Sequence, residues 1–294
     1  MADLFLYGCH LSIARGIERA LDEAERLGVT ALQVFSHAPS AWRMPPIPAD
    51  SAAVFRERRA ASAIRFLAVH TAYLLNLATL DDNLHTRSVD ALIEEVRRAV
   101  QLGADVIVTH LGAHRGAGVP VGIARIVDAL HQVAASRPFA STSLRLLLEN
   151  TAGAGTTMGR TFDELGCIIE QLHDGERVGV CLDSCHAFAG GYDVRSPEAL
   201  AGTLDECDAA IGLDRLQMLH LNDAKYDLGS RRDRHEHLGA GRIGEVGFAA
   251  MLNHPRLRAL PVLLETPKDL DNGDEADPVN LATLRRLRQT EAAL

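Results

Sequence analysis

Lysine is nearly missing from this chain. Of 30 basic residues among 294, only Lys225 and Lys268 are lysine. A biased genome composition accounts for that more economically than heat tolerance or phosphate binding, although arginine does suit bidentate phosphate contacts. Aromatic residues are scarce, and Trp42 is the one tryptophan. Five cysteines, Cys9, Cys167, Cys181, Cys185 and Cys207, form no Cys-x-x-Cys pair, and an odd number in so long a chain argues against a disulfide framework. Cys181 and Cys185 flank Asp183, so a thiolate ligand is conceivable; small buried hydrophobes are the plainer reading. No apolar run reaches the roughly 18 residues of a membrane span. The N-terminus, Met1-Ala-Asp-Leu-Phe-Leu, puts an acid where a signal peptide carries bases, so a cytoplasmic protein is expected. No linker, low-complexity segment or composition break divides the chain, and one domain over 1–294 is expected. The net charge of −9 argues at first sight against a nucleic-acid partner.

What is present is a repeat. Six short apolar runs each lead into a histidine or a carboxylate: Phe66-Leu-Ala-Val into His70, Val106-Ile-Val-Thr into His110, and Leu146-Leu-Leu into Glu149. Val178-Gly-Val-Cys-Leu leads into Asp183, Leu216-Gln-Met-Leu into His220, and Val262-Leu-Leu into Glu265. Each run has the length and makeup of a strand buried on both faces. Two further strands are predicted near Leu4–Gly8 and over Ala31–Phe35. Helical patterns follow each strand: Ser12–Leu27 with Ser12 as a cap, Asp50–Ser62, Leu84–Leu102, Val121–Ala135, Thr161–Leu172, Pro197–Ile211, Val246–Leu252 and Pro278–Thr290. A long stretch, Asn222–Gly244, reads as irregular. Eight strand–helix pairs predict an α/β fold, a single (β/α)₈ TIM barrel, with an open doubly wound sheet as the rival. Parallel strands all end on one face, so the barrel would gather the six polar residues at its C-terminal rim.

Imidazole and carboxylate gathered around one opening are metal-site donors. Six buried polar strand ends would be far too costly unless paired or metal-bound. A second cluster adjoins them: His186 follows Asp183 by three, and Asp233-Arg234-His235 puts two donors on one side of an extended segment. His237 falls on that side too and competes with His235. His85, His131, His173 and His254 sit on predicted helices or loops and read as ordinary surface or hydrogen-bonding histidines. Gly153-Ala-Gly155 and Gly239-Ala-Gly241 look like phosphate loops, but neither opens a helix after a first strand, and tight turns are the plainer reading.

Several blocks resemble the endonuclease IV family. They are Gly8-Cys-His-Leu-Ser12, His70-Thr-Ala-Tyr-Leu-Leu-Asn76, Leu148-Glu-Asn-Thr-Ala-Gly153, Val178 through Gly190, His220-Leu-Asn-Asp-Ala-Lys225, and Gly229 through Gly244. They lie in order and span nearly the whole chain. The resemblance implies a TIM barrel with three Zn2+ ions that cuts duplex DNA at abasic sites and trims blocked 3′ ends, in base-excision repair, as a monomer. It assigns one ion to His70, His110 and Glu149, and a second to Asp183, His220 and Glu265, with Glu149 bridging the two. The third falls to His186, Asp233 and His235. Three divalent ions against four carboxylates would leave the site net positive, so overall acidity does not exclude DNA. Metal lowers the pKa of water towards about 7, so no protein nucleophile is required. The resemblance also places a base-stack wedge in the loops after the second and third strands. Tyr73 and Leu74 match the family's aromatic–aliphatic pair. Ser40 stands where the family commonly has an arginine, and either Trp42 or Arg43 is expected to substitute for it, or Tyr73 to carry more of the wedge. Two other readings stay open: a metal-dependent sugar isomerase or epimerase on the same barrel, and a protein that binds abasic DNA without cutting it. Five histidines among nine donors favour zinc over magnesium or manganese.

Overall fold

Parallel pairing runs unbroken around a closed ring of eight strands. The computed structural model describes residues 5–172 and 177–288. The ring comprises β1 (Tyr7–Leu11), β2 (Ala31–Phe35), β3 (Phe66–His70), β4 (Val106–Thr109), β5 (Arg145–Glu149), β6 (Val178–Asp183), β7 (Leu216–His220) and β10 (Val262–Leu264). Because β1 pairs with both β2 and β10, the open sheet is excluded. Around the ring lie α1 (Ile17–Leu27), α2 (Ala49–Ala61), α3 (Asp82–Leu102), α4 (Val119–Ala135), α5 (Arg137–Ala140), α6 (Phe162–Ile169), α7 (Ser184–Gly190), α8 (Pro197–Ile211), α9 (Gly244–Asn253) and α10 (Asp277–Leu287).

The helices follow from local chemistry. In α3, buried Val89, Leu92, Val96 and Ala99 recur at spacings of three and four, which puts one stripe against the sheet. The Asp81 carboxylate accepts from the free N–H groups of Asn83 and Leu84 at the start, and left-handed Gly103 (φ 71°) ends the helix. Thr161 and Ser196 cap α6 and α8 in the same way.

Alternation along the strands divides the core in two. Leu32, Val69, Leu148 and Leu182 point outward against the helices. Ala31, Ala68, Val106, Val108, Leu147, Cys181, Met218 and Leu263 point inward and fill the barrel. Side chains two apart share a face. The residues above this apolar plug are therefore Gln33, His70, His110, Glu149, Asp183, His220 and Glu265, each within or directly after one of seven strands. In β1 the corresponding pair is Gly8 and His10. A Cβ on Gly8 would stand 1.8 Å from the Ala31 carbonyl oxygen, so only glycine lets β1 close against β2 there.

Boundaries differ from expectation in instructive places. The first strand runs Tyr7–Leu11 rather than Leu4–Gly8; Leu4 lies outside the described residues, and His10 is carried inside the strand. Ser12 does not cap α1, which starts five residues later behind Gly16; its hydroxyl accepts from the Ala14 N–H instead. β10 ends at Leu264 and β4 at Thr109, leaving Glu265 and His110 one residue beyond. Thr290, expected in the last helix, and His173 lie outside the described residues.

The stretch Asn222–Gly244 is not irregular throughout. β8 (Asp223–Ala224) and β9 (His235–Glu236) pair antiparallel inside it and turn Asp233 and His235 back over the rim. His186 lies on a short helix: α7 begins directly after β6, with the Asp183 carboxylate capping its first turn through the His186 N–H at 2.7 Å.

Candidate metal centre

Glu149 is the centre of the upper layer and is fully buried. Its Oε2 faces His70 Nε2 at 3.0 Å and His110 Nε2 at 3.5 Å. Its Oε1 faces His220 Nδ1 at 3.0 Å and His186 Nδ1 at 3.4 Å. Glu265 Oε2 lies 3.4 Å from His220 Nδ1. On the hairpin side, Asp233 Oδ1 lies 3.2 Å from His186 Nε2 and 3.5 Å from His235 Nε2, and Asp183 Oδ2 is 3.7 Å from His235 Nε2. All nine sequence-predicted donors thus converge. Eight of them sort into three groups with donor atoms close enough to share an ion: His70, His110 and Glu149; Glu149, Asp183, His220 and Glu265; Asp183, His186 and His235. Asp183 reaches into two of these groups. Asp233, half exposed at the rim, meets the third through its two histidines.

Neighbouring groups fix which imidazole nitrogen faces inward. His70 Nδ1 donates to the Thr71 carbonyl at 2.8 Å, leaving Nε2 for the centre. His235 Nδ1 donates to the Glu265 carbonyl at 3.0 Å. His220 is turned the other way: its Nε2 meets Gln33 Oε1 at 2.8 Å, so Nδ1 faces the carboxylates. Such outer partners set the tautomer and ring orientation of metal-binding histidines. His235 Nε2 is buried and has no hydrogen-bond partner among the described residues. Tetrahedral ligands about 2.1 Å from zinc lie about 3.4 Å from one another. The unpartnered nitrogen and the 3.4–3.7 Å donor separations fit that spacing and are too long for hydrogen bonds.

The electrostatics agree. Burial opposes charge on Glu149, yet His110 and His220 hold its carboxyl well below the usual range. Burial also opposes charge on His186 and His220; Asp183 and Asp233 outweigh it at His186, and Cys181, Glu265 and Glu149 at His220, raising both well above the ordinary imidazole value. At half-exposed Asp233 partial desolvation is outweighed by His186 and His235, which bring its carboxyl down to about 2. A buried field of this sign draws cations into the upper layer.

Not every candidate joins the centre. His237 is drawn off by Asn280 at 3.1 Å and enters none of the three groups. Cys185 does not supply a thiolate: its Sγ donates to the Arg234 carbonyl, and burial raises its pKa. His85 is buried and bonded to the Arg125 carbonyl. Gly239-Ala-Gly241 wraps a carboxylate belonging to the protein rather than a phosphate. Asp223 accepts from the N–H groups of Ala224, Gly239, Gly241, Ile243 and Gly244 at 2.8–3.3 Å. Gly153 has φ 76° and packs under the Arg160 side chain, as a turn does.

Four supporting residues escaped the sequence reading. Gln33 Nε2 donates to Glu265 Oε1 at 2.6 Å and contacts His10 Nδ1 at 3.0 Å. Asn150 pairs with the Asp183 backbone, and Asn222 joins Asp183 Oδ2 to the Glu265 N–H. A polar residue in an otherwise apolar strand, as in Ala-Leu-Gln33-Val-Phe, was the available signal.

Beside the centre opens a recess of about 240 Å³ lined by Tyr73, Leu75, His110, Thr151, His186 and Asp233. Tyr73 is 62% exposed, its ring edge against Phe35 at 5.4 Å, so it does not pack beneath the rim. Leu74 is half-buried, and Arg43 and Ser40 are exposed. Trp42 is half-buried under the Arg87 guanidinium, 4.1 Å from its ring centre.

The family model described as xylose isomerase-like TIM barrel matches residues 21–289. A protein of Methanoculleus marisnigri named "Probable endonuclease 4" is 45% identical over 97% of this chain and 99% of its own length. The chain belongs to the endonuclease IV family. Among solved structures, endonuclease IV from Thermus thermophilus superposes with a TM-score of 0.83 at 38% identity, covering 96% of this chain and 98% of that one. A D-tagatose 3-epimerase-like protein superposes at 0.72 with 16% identity over 98% and 97%, a likeness of fold alone. The endonuclease IV family is metal-dependent, and the three donor groups supply this member with the means.

Proposed function

We propose that this chain is a zinc-dependent apurinic/apyrimidinic endonuclease that hydrolyses the phosphodiester 5′ to abasic sites in duplex DNA. It leaves a 3′-hydroxyl and a 5′-deoxyribose phosphate, and removes blocking groups from 3′ ends. The observation that carries this reading is the two-sided Glu149 carboxylate. One oxygen faces His70 and His110 and the other faces His220, as a carboxylate shared by two ions would.

His70, His110 and Glu149 would hold one ion; Glu149, Asp183, His220 and Glu265 a second; His186, Asp233 and His235, with Asp183 alongside, a third. Bound zinc supplies Lewis acidity, making water acidic near neutral pH and offsetting charge on the phosphate and leaving oxygen. The protein's part is placement. Gln33 fixes the His220 ring and Glu265 together, so both keep one orientation. Glu149 lies where it orients the attacking water. The recess beside Tyr73 is of the order of a sugar phosphate, and Tyr73 stands at its mouth to fill the stack when a nucleotide is extruded, a step costing a few kcal/mol. Arg43 is free to take the place of the arginine that Ser40 cannot supply, while Trp42 is engaged with Arg87.

The enzyme acts as a monomer in the cytoplasm on this reading. Among the described residues no helix is long and apolar enough to cross a membrane. A nicking assay on a duplex carrying one tetrahydrofuran abasic analogue tests the proposal. A single 5′ incision, lost with chelator and restored by zinc, is expected. Binding without incision would instead indicate a damage-binding protein, and incision of neither strand with turnover of a free sugar would indicate an isomerase.

A further inference from the structure

Away from the metal centre, α3 buries two charged side chains that the chemistry does not use. Glu95 is fully buried and Arg98 is 2% exposed. Burying charge is costly unless each charge is bonded, so their partners reveal their purpose. Glu95 Oε1 accepts from the Ala72 N–H at 2.8 Å, adjoining Tyr73, and faces buried His37 Nε2 at 3.2 Å. Its Oε2 accepts from the Ser36 hydroxyl at 3.0 Å. That hydroxyl in turn accepts from Arg98 Nε at 3.0 Å. Arg98 also donates to the carbonyls of Ser36 and Pro45, and Gln101, one turn on, donates to the Ile47 carbonyl at 2.8 Å. Residues 95, 98 and 101 stand three apart and so share one helix face.

The loop 36–48 needs this support. Pro39, Pro45, Pro46 and Pro48 have no N–H to donate, so the loop's own backbone offers little beyond the bond from the Ala41 N–H to the Ala38 carbonyl at 3.1 Å. The carbonyls of Ser36, Pro45 and Ile47 are met from α3. One carboxylate thereby ties the loop bearing Ser40, Trp42 and Arg43 to the loop bearing Tyr73 and Leu74.

We propose that Glu95, with Arg98, is a positioning residue for DNA recognition, holding the two loops in one arrangement before the duplex arrives. The inference rests on the reading of Tyr73 and Arg43 as DNA-facing. Connecting loops are ordinarily mobile, and ordering them on binding weakens affinity by about 0.5–1.5 kcal/mol per immobilised side chain. Pre-ordering removes that cost from the binding step. It does not touch the reacting atoms.

Glu95→Gln keeps the size and one acceptor for Ala72, and loses the charge and the second acceptor. In the metal-loaded enzyme we expect KM for tetrahydrofuran-containing duplex to rise about tenfold, or 1.4 kcal/mol. Metal content should be unchanged and kcat within about twofold, the pattern of lost uniform binding. Amide hydrogen exchange should quicken in 36–48 and 72–75 and not in the strands. In a Tyr73→Ala background the Glu95→Gln penalty should shrink, because the loop it orders no longer carries the contact. An unchanged KM, a fully multiplicative pair, or loss of metal would each overturn the inference. Should Glu95→Gln fail to fold, Ser36→Ala, which removes the hydroxyl joining Glu95 to Arg98, is judged by the same criteria. If Tyr73→Ala alone leaves KM at the wild-type value, the wedge reading fails, and Glu95 is then judged on its own KM and exchange results.

Discussion

Replacing Glu149 with glutamine changes one atom and one charge at the most crowded point of the centre. The carboxylate is fully buried and has four imidazole nitrogens within 3.0–3.5 Å. A unit charge removed about 4 Å from a cation, at an effective dielectric near 20, forfeits about 4 kcal/mol. The amide also turns an N–H group towards nitrogens that an acceptor had faced. A loss of about 4 kcal/mol of transition-state stabilisation corresponds to roughly a thousandfold drop in rate. Binding of abasic duplex is expected to change by much less, because the loops proposed to hold DNA lie on other elements. The assay pairs steady-state nicking of a tetrahydrofuran duplex with fluorescence anisotropy on the same DNA. A Glu149→Gln enzyme that cut within about tenfold of wild type would refute the role given to this carboxylate. So would a variant whose loss lay wholly in affinity.

Three further outcomes follow from particular contacts. Tyr73→Ala should weaken binding and cutting of duplex abasic DNA while metal content stays at the wild-type level; equal cutting rates would remove the wedge role. Asp223→Asn strips the charge from a carboxylate that accepts five backbone N–H groups and organises residues 239–244 beside the hairpin carrying Asp233 and His235. It should cost about 1–3 kcal/mol in thermal or denaturant unfolding, and an unchanged midpoint would contradict that account. Burial pushes the thiols of Cys9, Cys181 and Cys207 up to about 12 and raises that of Cys185, while Cys167 is exposed. At pH 8 an alkylating reagent should therefore label one thiol in the native protein and five after denaturation, and rapid labelling of a second native thiol would count against the packing described.

The barrel and the donors were legible because they rest on the same regularity. A strand buried on both faces is an unbroken apolar run, so its polar end shows against it, and parallel topology carries every such end to one rim. β2, β3 and α8 match their expected bounds for that reason. What the sequence obscured lies where the run is mixed. His10 and Gln33 sit inside β1 and β2, and an isolated polar residue in a strand carries no sign of which face it takes. The pairing of β8 with β9 is two residues long, too short for alternation to register. α7 is one short helix capped by Asp183, whose role as a donor hid its role as a cap. The buried pair Glu95 and Arg98 resembles any charged helix surface until the loops that cover it are placed. His237 could not be separated from His235 by spacing; the Asn280 side chain, brought in by α10, decides between them.

Metal content is the measurement that bears most directly on the centre. Protein purified without chelator should carry close to three zinc ions per chain by elemental analysis, and His235→Ala close to two, still folded because the apolar plug beneath the rim is untouched. A wild-type value near one ion per chain would contradict the three-ion account.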